Sequence, residues 1–342
     1  VLEVARRTAA AGLGLDPDTD GKELVDTAGL ESLVATKSVV ALEEAEKASK
    51  SLWEKIKALW AAFVAKVGEF WNWLTKLLDF FSNKNKTLAN KLKAMDDESF
   101  EKALGVLNER LRAEDLSIHE TDEDGNYANA KRFKKSDFAA FDRSGKVINI
   151  NSIVSKTLAT LDAINKNFDS SVEKTKKELQ VKYKEVANKH DVEDVFDKEI
   201  ASNFKEVEIK ILNKTYKVFP TGYSISFFEH ASTIMMPHTL RFSKVDLVAA
   251  LLETDKVCKE MRKFSEQAFK RYKTEKDKAE KDRENAQSIA ESSIYRTILI
   301  SRKTIFKVEN KISRQFTKVM KSYNRIAQEI VSTSGSTKQE EK

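Results

Sequence analysis

Apolar side chains recur at intervals of three and four along most of this chain, the period of an α-helix. The clearest run covers residues 52–81. Its stripe is Trp53, Ile56, Trp60, Phe63, Val67, Phe70, Leu74, Leu78 and Phe81, widened by Leu52, Leu59, Val64, Trp71, Leu77 and Phe80. Lys55, Lys57, Lys66, Glu69 and Lys76 occupy much of the remaining surface, so the pattern predicts a strongly amphipathic helix. Asn83, Lys84 and Asn85 predict a stop or kink, followed by a second helix from about Leu88 to Leu111.

A second helical region lies toward the C-terminus. Val257, Met261, Phe264, Ala268 and Tyr272 keep helical spacing, as do Ile305, Val308, Ile312, Phe316, Val319, Tyr323, Ile326 and Ile330. No Gly or Pro interrupts His238 to Ser334, and Lys273 to Gln287 is almost wholly charged or polar. Two forms fit: one helix of roughly 90 residues, about 135 Å long at 1.5 Å per residue, or a helical hairpin with the polar stretch at its tip. Either form leaves apolar stripes that require a partner.

The middle of the chain reads differently. Asp122, Asp124, Gly125 and Asn126 predict a polar loop. Phe138 to Phe141, the turn Arg143-Ser144-Gly145 and Val147 to Ile150 then predict a short hairpin. Helix is expected from about Ser152 to Asn188. Alternating residues Val207, Ile209, Ile211, then Tyr216 and Val218 after the turn Asn213-Lys214, then Tyr223, Ile225 and Phe227, predict strands. The strands are expected to join in one small antiparallel sheet with the intervening helix packed on it. The fold class is therefore mainly α: long helices or a helical bundle with a small antiparallel β-sheet insertion.

The regions in order are a leader and variable helix (1–50), the tryptophan-rich helix with its successor (51–111), a mixed α+β middle (112–240), a long basic helical hairpin or coiled-coil-like region (241–331), and a disordered polar tail (332–342). Ten Gly and three Pro among 342 residues are too few for a loop-rich or all-β protein. A charged fraction of 33% against 41% apolar favours elongated helices with extensive solvated surface.

Charge changes sign along the chain, from about −4 over residues 1–50 to about +10 over residues 256–331. The basic end makes nucleic acid or an acidic partner a candidate. A solvated lysine-rich helix accounts for the same charge. The candidate DNA-contact residues are Lys270, Arg271, Lys273, Lys276, Arg302, Lys303, Lys307, Lys311, Lys318 and Lys321. Phosphate contact through them would be sequence-independent and salt-sensitive.

All four tryptophans lie in the 52–81 helix, and Trp53, Trp60, Phe63, Phe70, Trp71 and Trp73 are its candidate interaction residues. Three roles fit them: packing in a core or between subunits, contact with a membrane surface, and binding of a partner helix.

No arrangement of residues reads as an active site, and the chain is expected to be non-enzymatic, without cofactor, metal or small-molecule substrate. The four histidines lack the i,i+4 spacing of a zinc pair, since His230 and His238 are separated by eight with Pro237 between them. Asp122-x-Asp124-x-Asn126 opens like a calcium loop, but Tyr127 stands where glycine is needed and Phe133 where glutamate is needed. The single cysteine, Cys258, sits among apolar helical positions as a small hydrophobe. With no apolar run of about 18 residues and no signal sequence at its start, the chain reads as cytoplasmic in type.

The order of parts resembles the internal head proteins of phiKZ-like giant phages. An Ala/Glu-rich leader precedes the aromatic, Lys-rich helix, from Ser51-Leu-Trp-Glu-Lys-Ile-Lys through Trp71-Asn-Trp-Leu-Thr-Lys-Leu-Leu. A mixed middle and a long charged helical C-terminus follow. The resemblance implies a protein located in the virion interior and packaged with the genome; the long helices point to itself or other virion proteins as partners, and the basic face to DNA. It also implies trimming by a prohead protease after small-x-Glu sequences, which the start at Val1 fits. Triplets of that kind occur at Gly29-Leu30-Glu31 and Ala41-Leu42-Glu43. The alternative function is that of a membrane-active helical protein using residues 52–81 at a bilayer surface or in a pore.

Overall fold

The computed structural model describes residues 42–116, 133, 135–182, 198–221, 224–231, 237, 239–285 and 289–340. The fold is mainly α, with one small antiparallel sheet. In chain order its elements are helices α1 (Leu42–Ala94), α2 (Asp97–Leu116) and α3 (Asn151–Lys182), strands β1 (Val207–Ile211), β2 (Lys214–Pro220) and β3 (Ile225–Ala231), and helices α4 (Lys244–Asn285) and α5 (Ile289–Glu340). The loop predicted at 122–126 and the strand residue Tyr223 lie outside the described residues.

The chain divides into two compact units interleaved in sequence. The first takes Val1–Gly68, Thr160–Ser232 and Phe269–Glu309, and the second takes Glu69–Ala159, Thr233–Ala268 and Asn310–Lys342. Helices α1, α3, α4 and α5 each supply a segment to both.

Helix α1 does not stop at Asn83–Asn85. It runs unbroken to Ala94, and Asn85 is buried on its inner face. The Asn85 amide donates to the Thr254 hydroxyl at 3.2 Å, and its carbonyl accepts from the Asn324 amide at 2.9 Å. The polar side chain is thus satisfied across helices, where the local pattern had read as an end signal. The break falls at Asp96, whose carboxylate caps α2 by accepting from the Ser99 backbone N–H at 2.6 Å.

The hairpin expected at 138–150 is reduced to one antiparallel bridge, Phe141 with Val147, after a 3-10 turn over Lys135–Phe138. Asp142 organises the turn, accepting from the N–H groups of Ser144 and Lys146 at 2.9 and 3.0 Å. Gly145 has φ of 79° and lies against the 239–241 backbone, where the Arg241 N–H donates to its carbonyl at 2.9 Å. On the leading side of the bridge the backbone N–H groups are bonded elsewhere, Ala139 and Phe141 donating to the Ser136 and Phe138 carbonyls at 3.3 and 3.0 Å and Ala140 to the Ser322 hydroxyl at 3.1 Å. The segment belongs to the second unit and takes no place in the sheet.

The sheet, in the first unit, has order β1-β2-β3. Its β1–β2 loop is Leu212–Asn213, one residue earlier than the predicted Asn213–Lys214, since Ile211 pairs with Lys214. Ile209, Ile211, Tyr216, Val218, Ile225 and Phe227 are its buried residues, as the period-two alternation requires.

The gapless C-terminal region forms two helices. In the first unit Tyr272 reaches Glu309 and Glu275 reaches Arg302, and in the second Cys258 lies 3.7 Å from Met320. Later residues of α4 meet earlier residues of α5, which makes the pair an antiparallel hairpin. Helix α5 continues to Glu340, so residues 332–340 of the segment predicted as a disordered tail are helical.

Candidate functional site

The tryptophan stripe of α1 is largely interior. In the first unit Trp60 is only 1% exposed, and Trp53 and Phe63 are also buried. Trp53 meets Tyr295 edge-on at 5.4 Å, while Phe63 packs against Tyr272 at 5.3 Å and Phe306 at 5.8 Å. The indole N–H groups of Trp53 and Trp60 are buried without a hydrogen-bond partner among the described residues. In the second unit Phe70 and Trp71 are buried, with Trp71 meeting Phe264 edge-on at 6.2 Å. Trp73 differs, with 43% of its surface exposed. The aromatic positions thus divide into five used in packing and one at the surface.

The ten candidate basic residues also separate. Lys270 and Lys273 in the first unit, and Lys318 and Lys321 in the second, are exposed. Arg271 pairs with Asp162 at 2.8 Å, and Lys276 with Glu280 at 3.3 Å. Lys303, Lys307 and Lys311 are partly covered. Arg302 must be removed from the set, because it is 1% exposed and cannot reach a phosphate.

Arg302 instead centres a buried ionic network in the first unit. Its Nε donates to Glu275 Oε2 at 2.8 Å and its Nη1 to Asn165 Oδ1 at 2.9 Å. Its Nη2 pairs with both Asp169 and Glu275. The guanidinium carbon stands 4.5 Å over the Phe168 ring. Burial pulls the guanidinium pKa down, but the charges of Glu275 and Asp169 outweigh it and hold the group above its ordinary value. The planar five-donor fork of arginine suits three acceptors on two helices, a geometry a lysine cannot reproduce.

Glu309 extends this network. Its carboxylate accepts from the Asn165 amide and the Tyr272 hydroxyl, each at 2.8 Å. Burial pushes its pKa up, against the lowering effect of those two donors. Burial and the nearby Glu309 charge push the Tyr272 phenol well up. The signal for this network is present in the chain: Glu309 interrupts the apolar run Ile305, Val308, Ile312, and Asn165 interrupts Leu161, Ile164, Phe168. A polar residue on an apolar helical face needs a partner there.

The second unit carries its own polar cluster. Asp255 accepts from Ser82 at 2.5 Å and pairs with Lys86 at 3.1 Å and Lys259 at 2.8 Å. The hydrogen bonds of Lys259 and Ser82 hold its carboxyl well below the usual range. Cys258 is buried as expected of a small hydrophobe, and burial pushes its thiol up to about 12. His230 lies on an exposed part of β3, whereas His119 and His238 lie outside the described residues. Among the described residues no group of three or more His, Cys, Asp or Glu has a metal-holding arrangement, and no helix is long and apolar enough to cross a membrane.

No protein-family model, curated protein or solved structure matches the chain.

Proposed function

We propose that this chain is a non-enzymatic internal structural protein of a virion. It is packaged with the genome, assembles with itself or other virion proteins through its long helices, and holds DNA by sequence-independent electrostatic contact. The observation carrying the DNA contact is the exposure of Lys270, Lys273, Lys318 and Lys321. Residues 310–328 of α5 hold five basic and no acidic side chains, Lys318 and Lys321 among them, which concentrates positive charge on that stretch although Arg325 pairs with Glu329 at 2.8 Å. The virion assignment draws on the resemblance of the order of parts to that of phiKZ-like internal head proteins.

Binding of unrelated double-stranded DNA across about 50 to 200 mM salt tests this reading. Affinity should fall steeply with salt and be indifferent to sequence. A variant with all four exposed lysines changed to Glu should bind more weakly, with the salt slope reduced by about 0.9 for each phosphate no longer neutralised. Absence of duplex binding at about 50 mM salt overturns the DNA contact, as does undiminished affinity in the four-site variant. Sedimentation as a monomer at all accessible concentrations would argue against self-assembly.

A further inference from the structure

In the second unit, α1 and α5 run in the same direction. Arg314 stands beside Trp73 and Asn324 bonds to Asn85, so twelve residues along α1 match ten along α5. This register places Leu77 and Phe80 within about one residue of the levels of Lys318 and Lys321. Trp73, Leu77 and Phe80 follow i, i+4, i+7 spacing on α1, and Arg314, Lys318 and Lys321 follow the same spacing on α5. Each trio forms a row along one helical face. Trp73 and Phe80 are 43% and 51% exposed, and Arg314, Lys318 and Lys321 are exposed too. The surface is therefore an aromatic–aliphatic row beside a cationic row.

We infer that this two-row face docks on the surface of a negatively charged lipid bilayer. The cationic row supplies attraction to lipid phosphates while the apolar row enters the headgroup–acyl boundary. A second copy of the chain fits poorly, because symmetric contact would bring the acid-free 310–328 rows together. Nucleic-acid bases fit poorly as well. Stacking needs an open ring face, yet Trp73 has Arg314 over it at 5.2 Å and the tilted Phe70 ring at 5.7 Å. Lys84 stands 5.1 Å over Phe80. Leu77 has no π-face to offer, whereas lipid accepts all three side chains. The inference does not depend on the DNA contact proposed above.

The test is flotation of the full chain with equimolar phosphatidylglycerol/phosphatidylcholine vesicles, with tryptophan emission recorded on the same samples. The other three tryptophans are buried, so a blue shift that disappears in Trp73→Phe reports this face. Binding to pure phosphatidylcholine should be far weaker. Lys318→Glu/Lys321→Glu should reduce affinity by more than about fivefold per lysine, since each change reverses a charge. Phe80→Glu should abolish the blue shift, with circular dichroism and Tm showing the fold intact. No binding to the anionic vesicles at low salt overturns the inference. Binding that neither Phe80→Glu nor the lysine pair alters overturns it as well, by placing the contact elsewhere. Quenching of Trp73 by single-stranded DNA, with no response to vesicles, would assign the face to nucleic acid instead. Because the duplex assay uses neither Trp73 nor Phe80 as a readout, failure of one proposal is distinguishable from failure of the other.

Discussion

The phenol of Tyr272 on α4 donates to the carboxylate of Glu309 on α5 at 2.8 Å, with both side chains fully enclosed in the first unit. This bond joins the two arms of the C-terminal hairpin at a buried polar point, as the Arg302–Glu275 pair also does nearer its tip. Its donor and acceptor are each costly to leave unpaired in that setting. A shift in register between α4 and α5 would separate them, so the pair favours one alignment over its neighbours.

Glu309→Ala is expected to destabilise the protein by about 2–4 kcal/mol, because Tyr272 and Asn165 lose their acceptor and a cavity opens. Glu309→Gln keeps an acceptor for Asn165 and offers Tyr272 an amide donor, and should cost no more than about 1 kcal/mol. Urea unfolding of both variants at one pH checks the difference.

Wild type and Glu309→Gln should also differ in their response to pH. Burial raises the Glu309 pKa in the folded state, so the folded chain binds its proton more tightly than the unfolded chain does. Its contribution is therefore fully present below the ordinary carboxylate pKa and is lost as pH rises through the raised value. Asn165 and Tyr272 face it as donors, and Arg271 and Arg302 contribute positive charge. The stability of wild type relative to Glu309→Gln should fall as pH rises through that window. A difference that stays flat with pH would contradict the assignment.

Asp255 has the opposite sign. Lys259 and Ser82 lower its folded pKa, so its contribution is present above the ordinary carboxylate pKa and lost as pH falls through the depressed value. Asp255→Asn should cost about 1–2 kcal/mol at neutral pH, allowing for the partial exposure of the cluster. The cost should shrink on acidification, as measured by denaturant midpoints at neutral and acid pH.

Gly145→Ala should be among the most damaging single-methyl additions. The residue has φ of 79°, and a Cβ there would stand 2.0 Å from the Thr239 carbonyl oxygen. Backbone strain and forced separation of the two segments together should cost at least about 2–3 kcal/mol. Thermal unfolding followed by circular dichroism would detect the loss as a lowered Tm.

Trp60→Glu and Trp73→Glu should part company. The first buries a carboxylate in an aromatic cluster with no cation supplied for it and is expected to unfold the chain. The second changes an exposed position and should alter stability by less than about 1 kcal/mol. Far-UV circular dichroism and Tm of the two purified variants decide the matter.

Much of the architecture follows from local pattern. The 3.6-residue period of 52–81 and of the C-terminal region identifies helices, because a helix repeats its buried face without reference to distant residues. The alternation of Val207 to Phe227 likewise identifies strands, and short spacing between them favours antiparallel pairing. Trp53, Trp60, Phe63, Phe70 and Trp71 are buried, which fits packing among the three roles that their stripe left open.

What local pattern left open was decided by contacts between residues far apart in sequence. Asn85 has the local character of a helix stop, but Thr254 and Asn324 make it an interior residue, 169 and 239 positions away respectively. Arg302 has the character of a surface cation until Asp169 and Glu275 enclose it. Phe80 widens the apolar stripe of α1 as Trp71 does, and only neighbouring helices distinguish the exposed Phe80 from the buried Trp71. Sequence by itself determined the long helices, the three strands and most of their apolar faces, since those depend on backbone geometry and residue spacing. Tertiary structure alone decided which polar and aromatic side chains those faces enclose, because burial depends on which distant surfaces meet.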